Sequence, residues 1–384
     1  MQQKKIAILG STGSIGTQAV EIIDARPELF KATVLTAQRS FETLAQQVNT
    51  LRPNTAVLCD ETYKNDFLEL LKFKPQNILF GKDALEQVTQ EGDYDLLLNS
   101  LVGFSGFNST YTALKNGKKV ALANKESLVV GGELLSKMDG FTKGNLIPVD
   151  SEHSAMLQSL IGERVNSIQK IIITASGGPF KSYTPDQLKN VTVEDALKHP
   201  NWEMGSKITV DSATMMNKGL EIIEAKWLFS LPIEQIEPVV HPQSIIHSIV
   251  EFVDGSSKAQ LGPPDMKVPI LYAFTYPDRI DFPNKTLDYS ETLCMEFEPV
   301  NYNTFPCIQL AIDAAKEEGL APAILNAANE IAVERFLNNE IRYIDIPKII
   351  EKSLTRIHNN KVITPETLLD IDKETREFAK ALLQ

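Results

Sequence analysis

The stretch NLIPVDSEHS at 145–154 places two carboxylates, Asp150 and Glu152, at i and i+2 where an apolar run ends. If that run is a strand, the spacing turns both side chains to one side. Two acids so placed repel one another unless a cation joins them, and the carboxyl end of a strand is where open α/β sheets bind ligands. A third carboxylate is available from SATMMNKGLEIIEAKWLF (212–229), a polar lead-in to an amphipathic helix that offers both Glu221 and Glu224. Glu221 is expected in or near the first turn of that helix. With no His or Cys cluster nearby, three carboxylates describe a hard, oxygen-seeking divalent ion, Mg²⁺ or Mn²⁺, with positions left open for substrate.

A second constellation is GSTGSIG at 10–16, directly after an apolar run and opening a helix-like stretch. Gly10 can make the tight turn, Gly13 can let the backbone approach a pyrophosphate, and Gly16 can permit close helix packing. The spacing is G-x-x-G-x-x-G instead of the commoner G-x-G-x-x-G, so the strand–turn–helix context carries the dinucleotide reading. Proteins that bind NAD place an acid after the second strand to hold the ribose hydroxyl. Here TAQRS (36–40) has none, and Arg39 and Ser40 offer the cation and hydroxyl that a 2′-phosphate wants. NADP(H) is therefore expected over NAD(H).

These residues need a scaffold, and 384 residues allow about two to three domains. From Lys4 to Val149, short Val/Ile/Leu runs alternate with amphipathic stretches, the pattern of a doubly wound parallel sheet with crossover helices. Expected strands are Lys5–Leu9, Ala32–Thr36, Ala56–Cys59, Asn77–Phe80, Asp95–Asn99, Val120–Ala123 and Leu146–Val149. Expected helices include Phe41–Asn49 and Gly106–Asn116, with Ser40 and Ser105 as caps. The rhythm then changes, so the fold expected is α/β: a Rossmann-like domain at 1–150 and an α+β catalytic domain at 151–285. A linker at 286–307 and a small helical C-terminal domain at 308–384 complete it. In the second domain Ile168–Thr174 and Ile245–Phe252 read as strands. In the last, Ile308–Glu317, Ala323–Leu337, Ile346–Ile357 and Lys373–Leu383 read as helices.

The net charge of −12 leaves no broad basic face, which disfavours nucleic acid. Small anions remain accessible to a local cradle of backbone N–H groups and a few cations. Three cysteines without C-x-x-C spacing (Cys59, Cys294, Cys307) fit neither a zinc knuckle nor a disulfide framework. No apolar run approaches membrane-spanning length. A soluble cytoplasmic protein is expected, although a plastid chain stripped of its transit segment reads the same way.

GSTGSIG (10–16), LANKESLV (122–129), PVDSEH (148–153), SGGPF (176–180), HPNWEMG (199–205), VDSATMMNKGLE (210–221), HPQSIIHS (241–248) and LNAANE (325–330) together resemble the 1-deoxy-D-xylulose 5-phosphate reductoisomerase family, in order and over nearly the whole chain. The resemblance implies NADPH-dependent conversion of that sugar phosphate to 2-C-methyl-D-erythritol 4-phosphate, in the non-mevalonate route to isoprenoid precursors. It selects Glu221 over Glu224 and implies that Asp150, Glu152 and Glu221 ligate the metal. It further implies substrate contacts at Lys125, Ser151, Glu152, Ser176, Ser212, Asn217, Lys218 and Glu221, with Lys125 placing charge beside the reacting oxygens. Thr12, Gly13, Ser14, Ile15, Gln38, Arg39, Ser40, Asn124, Glu126 and Gly205 match cofactor positions, and Met266 is expected near the nicotinamide.

Where many relatives have Gly-Lys-Asn after the second strand, this chain has Gln38-Arg39-Ser40, which keeps one cation. HPNWEMG resembles a flap, at about 196–206, that closes over substrate, with His199 as a donor and Trp202 as apolar cover. Read without the family, Ser176 is a turn residue, Lys218 a helix-start lysine and Trp202 a core aromatic. His153, His241 and His247 read as supporting or structural. The resemblance also implies a homodimer. A plain NADP-dependent dehydrogenase would keep the glycine loop without needing the carboxylates, and a dinucleotide sensor would leave both flap and carboxylates unused. The pairing of DSE with NKGLE disfavours both.

Overall fold

The computed structural model describes residues 3–199, 201–202, 204–360 and 362–382. The chain forms two compact units. The first comprises Met1–Asn124, Lys137–Asp150 and Met266–Asn284, and the second Lys125–Ser136, Ser151–Asp265 and Lys285–Gln384.

The first unit is built on seven strands: β1 Lys4–Leu9, β2 Phe30–Ala37, β3 Thr55–Leu58, β4 Asn77–Phe80, β5 Leu96–Asn99, β6 Lys119–Leu122 and β7 Leu146–Pro148. All pair in parallel, in the order β4-β3-β2-β1-β5-β6-β7. Runs such as Ile6-Ala7-Ile8-Leu9 and Leu96-Leu97-Leu98 are fully buried because helices cover both faces of a parallel sheet. The strand order reverses beside β1, so the loop after β1 opens at the switch point where such sheets bind ligands. Gly10 turns that loop with φ +81°, and a Cβ there would stand 2.8 Å from the Ser100 carbonyl oxygen. At Gly16 a Cβ would stand 2.2 Å from the Gly10 carbonyl oxygen, so only glycine lets the helix Ser14–Ala25 start against the turn.

The second unit carries β8 Ile168–Ala175, β9 Ile236–Val240, β10 Ile246–Phe252, β11 Ser257–Leu261 and β12 Glu298–Pro299, in the order β11-β10-β8-β9-β12. Only β8 and β9 pair in parallel. One hydrophobic core runs from Val129 through Ile171, Ile173, Leu220 and Ile223 to Leu325, Ile349 and Ala379. The helix Glu126–Leu135 belongs to it because ESLVVGGELL is apolar on nearly every face, and a Cβ on Gly132 would fall 2.1 Å from Trp227 Cδ1.

These bounds differ from the division at 150 and 285 read from sequence rhythm. The helix at Glu126–Leu135 joins the second unit, whereas the helix Lys267–Thr275 returns to the first, where Lys4 Nζ donates to the Phe274 carbonyl at 2.7 Å and Phe30 meets Phe274 edge-on at 5.6 Å. The C-terminal helices Pro306–Glu317, Ala321–Leu337, Ile346–Arg356 and Pro365–Ala381 share the core of the second unit. The segment expected as a linker is pinned to the sheet: β12 pairs with β9, His241 Nδ1 meets the Glu296 carbonyl at 2.9 Å, and the His241 ring stacks on Phe297. Among the described residues no helix is long and apolar enough to cross a membrane.

Candidate active site

In the first unit, the helix after the glycine loop begins with Gly13 as its N-cap, no side chain caps it, and no acid lies in its first turn. Its leading N–H groups and dipole are thus presented to an anion. The turn is held from behind: Gly10 N donates to Thr36 Oγ1 at 3.0 Å, Ser11 Oγ to Gln47 Oε1 at 2.7 Å, and Gln47 Nε2 to the Ser11 carbonyl at 2.7 Å. Gln38, Arg39 and Ser40 are exposed at the end of β2. Arg39 donates through Nε to Asp60 Oδ2 at 3.0 Å, while the other Asp60 oxygen accepts from Thr62 N at 3.1 Å. Bonding through Nε leaves the terminal fork of the guanidinium facing outward. Asn124 is buried, and its amide donates to the carbonyls of Leu101 and Gly103 at 2.9 and 3.0 Å, which shapes the loop after β5.

In the second unit, the helix Met216–Leu228 starts from Met215, buried and left-handed at φ 61°. That conformation is costly for a residue with a side chain. It separates this helix from the preceding one, Ser206–Ala213, and half-buried Asn217 and buried Lys218 and Glu221 bond within one cluster. Asn217 Nδ2 donates to Glu221 Oε1 at 2.6 Å, and Lys125 Nζ reaches Asn217 Oδ1 at 2.6 Å and Glu221 Oε1 at 3.2 Å. Lys218 Nζ bonds both Glu152 Oε1, at 2.7 Å, and Glu221 Oε2. Ser151 Oγ donates to Glu152 Oε2 at 2.6 Å. One oxygen of Glu152 and one of Glu221 lie within 4.8 Å of each other. Burial works to lower the Lys218 pKa, but Glu152 and Glu221 outweigh it and hold it above the ordinary lysine value.

In the same unit, β8 ends at Ala175 and SGG turns with Gly177 and Gly178 both at positive φ. A Cβ on Gly178 would stand 2.6 Å from the Ser212 carbonyl oxygen, so the turn lies directly on the helix Ser206–Ala213. Between them His199 Nε2 is 3.1 Å from both Ser176 Oγ and Ser212 Oγ. Its Nδ1 accepts from the backbone of Asn201 at 3.2 Å and Trp202 at 3.0 Å, which assigns the proton to Nε2. Burial lowers its pKa to about 4, so the ring is a neutral donor at pH 7. Asn201 ties the flap to the turn at 242–244 through Pro242 O (2.7 Å) and Ser244 Oγ (2.8 Å), and half-buried Trp202 tilts over His247 at 6.2 Å. Pro200 and Glu203 of this motif lie outside the described residues.

Three family models cover most of the chain. One described as 1-deoxy-D-xylulose 5-phosphate reductoisomerase matches residues 6–132, and two described as its C-terminal domains match 146–229 and 261–378. A protein of that name from Chloroherpeton thalassium is 48% identical over 98% of this chain and 97% of its own length. The chain belongs to the 1-deoxy-D-xylulose 5-phosphate reductoisomerase family. A Bacteroides fragilis member is 46% identical over 100% of this chain and 99% of its own. Among solved structures, the Zymomonas mobilis reductoisomerase in complex with NADPH superposes with TM-score 0.92 at 41% identity, covering 100% of both chains. A reductoisomerase in complex with NADPH, fosmidomycin and magnesium superposes with TM-score 0.90 at 37% identity, covering 98% of each.

Several local expectations are corrected. Glu152 is not on a strand end: β7 stops at Pro148, and Glu152 sits in the first turn of the helix Ser151–Ser159, where the dipole favours an acid. Asp150 is the residue directly before that helix. Glu221 lies in the second turn of its helix, because the helix starts only at Met216. Ser40 stands at a helix N-cap but makes no side-chain cap bond, and Ser105 is inside its helix. Gly205 is the N-cap of the helix Ser206–Ala213, and Met266 that of Lys267–Thr275.

Lys207, Asp211 and Asn329 are residues that the sequence reading passed over. Lys207 bonds Glu126 and Asp211 at 2.8 Å each, and Asn329 Nδ2 supports Asp211 at 2.8 Å. The Glu126 carboxylate is thus spent on an ion pair. The i, i+4 spacing of Lys207 and Asp211 was the available signal. Glu224 is fully buried 3.4 Å from His153 Nδ1, and His153 Nε2 meets the Glu221 carbonyl oxygen at 2.9 Å. His241 is structural, its Nε2 accepting from the Ile245 and Ile246 amides.

Proposed function

We propose that this chain converts 1-deoxy-D-xylulose 5-phosphate to 2-C-methyl-D-erythritol 4-phosphate with NADPH, using one divalent cation, Mg²⁺ or Mn²⁺, held by Asp150, Glu152 and Glu221. The carrying observation is the ion-paired knot of half-buried Glu152 with buried Glu221, Lys125 and Lys218, in a chain whose relatives bear the reductoisomerase name over their full length. An all-oxygen donor set with anionic charge fits a hard divalent ion. When bound, the ion supplies Lewis acidity to the substrate's carbonyl and hydroxyl oxygens, and NADPH supplies the hydride that reduces the rearranged, branched aldehyde.

This chain's own residues bind and orient. The N–H groups of Gly13, Ser14 and Ile15, with Thr12, hold the pyrophosphate, and the outward fork of Arg39, flanked by Gln38 and Ser40, holds the 2′-phosphate. Asn124, Glu126, Gly205 and Met266 belong to the same cofactor set, Glu126 by its position beside Lys125 and not through a free carboxylate. Ser176, Ser212, Asn217 and Lys218 cradle the substrate phosphate, with His199 adding one neutral donor and Trp202 excluding water. Lys125, held against Glu221 and Asn217, puts positive charge where oxygen gains electron density while the carbon skeleton breaks and re-forms. Ser151 keeps Glu152 oriented.

The reading includes a homodimer, supported by the family, and a cytoplasmic setting, supported by cysteine usage. Its test is NADPH oxidation with 1-deoxy-D-xylulose 5-phosphate, with and without Mn²⁺, for the wild type and Glu221→Gln. Metal-dependent turnover that collapses in the variant is expected. Absence of turnover with every divalent ion, in folded protein that still binds NADPH, would overturn it in favour of a plain dehydrogenase or a sensor.

A further inference from the structure

The four oxygens of Glu152 and Glu221 are all engaged. Glu152 Oε2 accepts from Ser151 and Glu221 Oε1 from Asn217 and Lys125, while Glu152 Oε1 and Glu221 Oε2 share a single donor, the Lys218 ammonium. Lys218 is 3% exposed. It is the one described cation that bonds both carboxylates, and it stands between two groups whose mutual repulsion demands a positive charge. The proposed function gives the same two glutamates to a divalent ion. A divalent ion and an ammonium that already bonds the same carboxylate oxygen compete, since both cations approach through the same lone pairs and repel each other.

We propose that Lys218 is an exchangeable internal counter-ion, holding the Glu152–Glu221 pair together until a divalent cation takes those oxygens, whereupon its side chain turns to the substrate phosphate. The proposal rests on the ligand reading above. Lys218 can make the exchange without moving the backbone, because a four-carbon stem carries a point charge with three rotatable donors. Lys125 and Asn217 stay on the other oxygen of Glu221, and Ser151 stays on that of Glu152, so both carboxylates remain oriented. Release of the ammonium then links the two events: each divalent ion bound frees one cation for a phosphate, and each phosphate bound removes a competitor of the metal.

The experiment is direct Mn²⁺ binding, read from the paramagnetic resonance of the free ion, in the absence of sugar phosphate and NADPH. The wild type, Lys218→Met, Lys218→Gln and Glu221→Gln are compared, each checked for folding by its melting curve. Lys218→Met is expected to bind Mn²⁺ about tenfold more tightly than the wild type, a 1.4 kcal/mol gain, and Glu221→Gln to bind it far more weakly. Lys218→Gln, which keeps volume and one donor, gives the same comparison should the methionine variant not fold. Inorganic phosphate is expected to tighten Mn²⁺ binding in the wild type and not in Lys218→Met. Unchanged or weaker binding in both Lys218 variants, with binding lost in Glu221→Gln, overturns the exchange and leaves the ligand assignment standing. Unchanged binding in Glu221→Gln overturns the ligand assignment, and the exchange with it. Absence of any phosphate effect in the wild type overturns the linkage.

Discussion

Lys207→Met tests how far the helix after the flap depends on one buried charge. Lys207 holds Glu126, 6% exposed, and Asp211, 1% exposed, at 2.8 Å each. Its removal leaves Asp211 with the Asn329 amide and deprives Glu126 of the cation that most strongly lowers its pKa. Breaking a buried pair by removing one partner costs about 3–5 kcal/mol. The Lys207 side chain is 19% exposed, which places the cost near the lower end, about 3 kcal/mol. For the second unit that corresponds to a Tm lower by roughly 6–12 °C. The pH dependence is diagnostic. In the wild type, burial opposes ionisation of Glu126 but Lys207 outweighs it, so the folded pKa is depressed, and the resulting stability is present above the unfolded value and lost as pH falls through the folded one. In the variant Glu126 keeps the burial that opposes its ionisation and loses the cation that outweighs it, so it takes up a proton more readily and the deficit shrinks as pH falls from neutral towards the ordinary carboxylate range. Calorimetric melting of both proteins across that range reads the effect. A deficit below about 1 kcal/mol, or one independent of pH, would refute the account of Lys207 as a buried counter-ion.

Gly16→Ala brings a Cβ to 2.2 Å from backbone that cannot give way, so it should lower stability by about 1–3 kcal/mol or more and weaken NADPH binding, as read by melting and cofactor fluorescence. Arg39→Met should raise the KM for NADPH by about tenfold or more while leaving that for NADH nearly unchanged, because only the 2′-phosphate loses a charge-assisted contact; equal effects on both cofactors would contradict the assignment. His199, its pKa lowered to about 4 by burial, stays neutral in the folded protein while the unfolded chain takes up a proton near pH 6.5. Stability is therefore lost as pH falls from about 6.5 towards 4, and His199→Gln should lose less over that interval when unfolding is followed by denaturant titration.

Much of this was legible because the signals were local. The seven parallel strands of the first unit are bounded by turn residues and fall within one or two residues of the positions read from apolar runs. The chemistry-bearing strings name the glutamates, lysines and serines that the fold gathers in the second unit. The geometry was less legible. Leu146–Val149 is apolar to its end, which suggested a strand reaching Asp150, whereas helix nucleation at Ser151 decides where Glu152 points. The last helix begins at Pro365 and not Lys373; the Thr364 cap and the proline in its first turn were local cues that the apolar stripe outweighed. The C-terminal helices read as a separate domain because a stripe shows that a face is covered without showing by what. Glu126–Leu135 falls inside the stretch 1–150 read as one domain, and the close fit of Gly132 to Trp227 shows that it packs in the other unit.

The interleaved connectivity of the two units has a consequence for biosynthesis. The polypeptide passes from one unit to the other at 124/125, 136/137, 150/151, 265/266 and 284/285. At synthesis rates of 5–20 residues per second, the sheet of the first unit is complete on the order of ten seconds before the helix Lys267–Thr275 is made. Until then Phe30 and Lys4 lack the partner that Phe274 provides, and the helix Ser14–Ala25 lacks its neighbour. A nascent chain released before residue 284 therefore bears an uncovered apolar face, a substrate for chaperones. For the same reason neither unit corresponds to a single uninterrupted stretch of coding sequence, so recombination that swaps whole segments between genes cannot transplant one without severing the other.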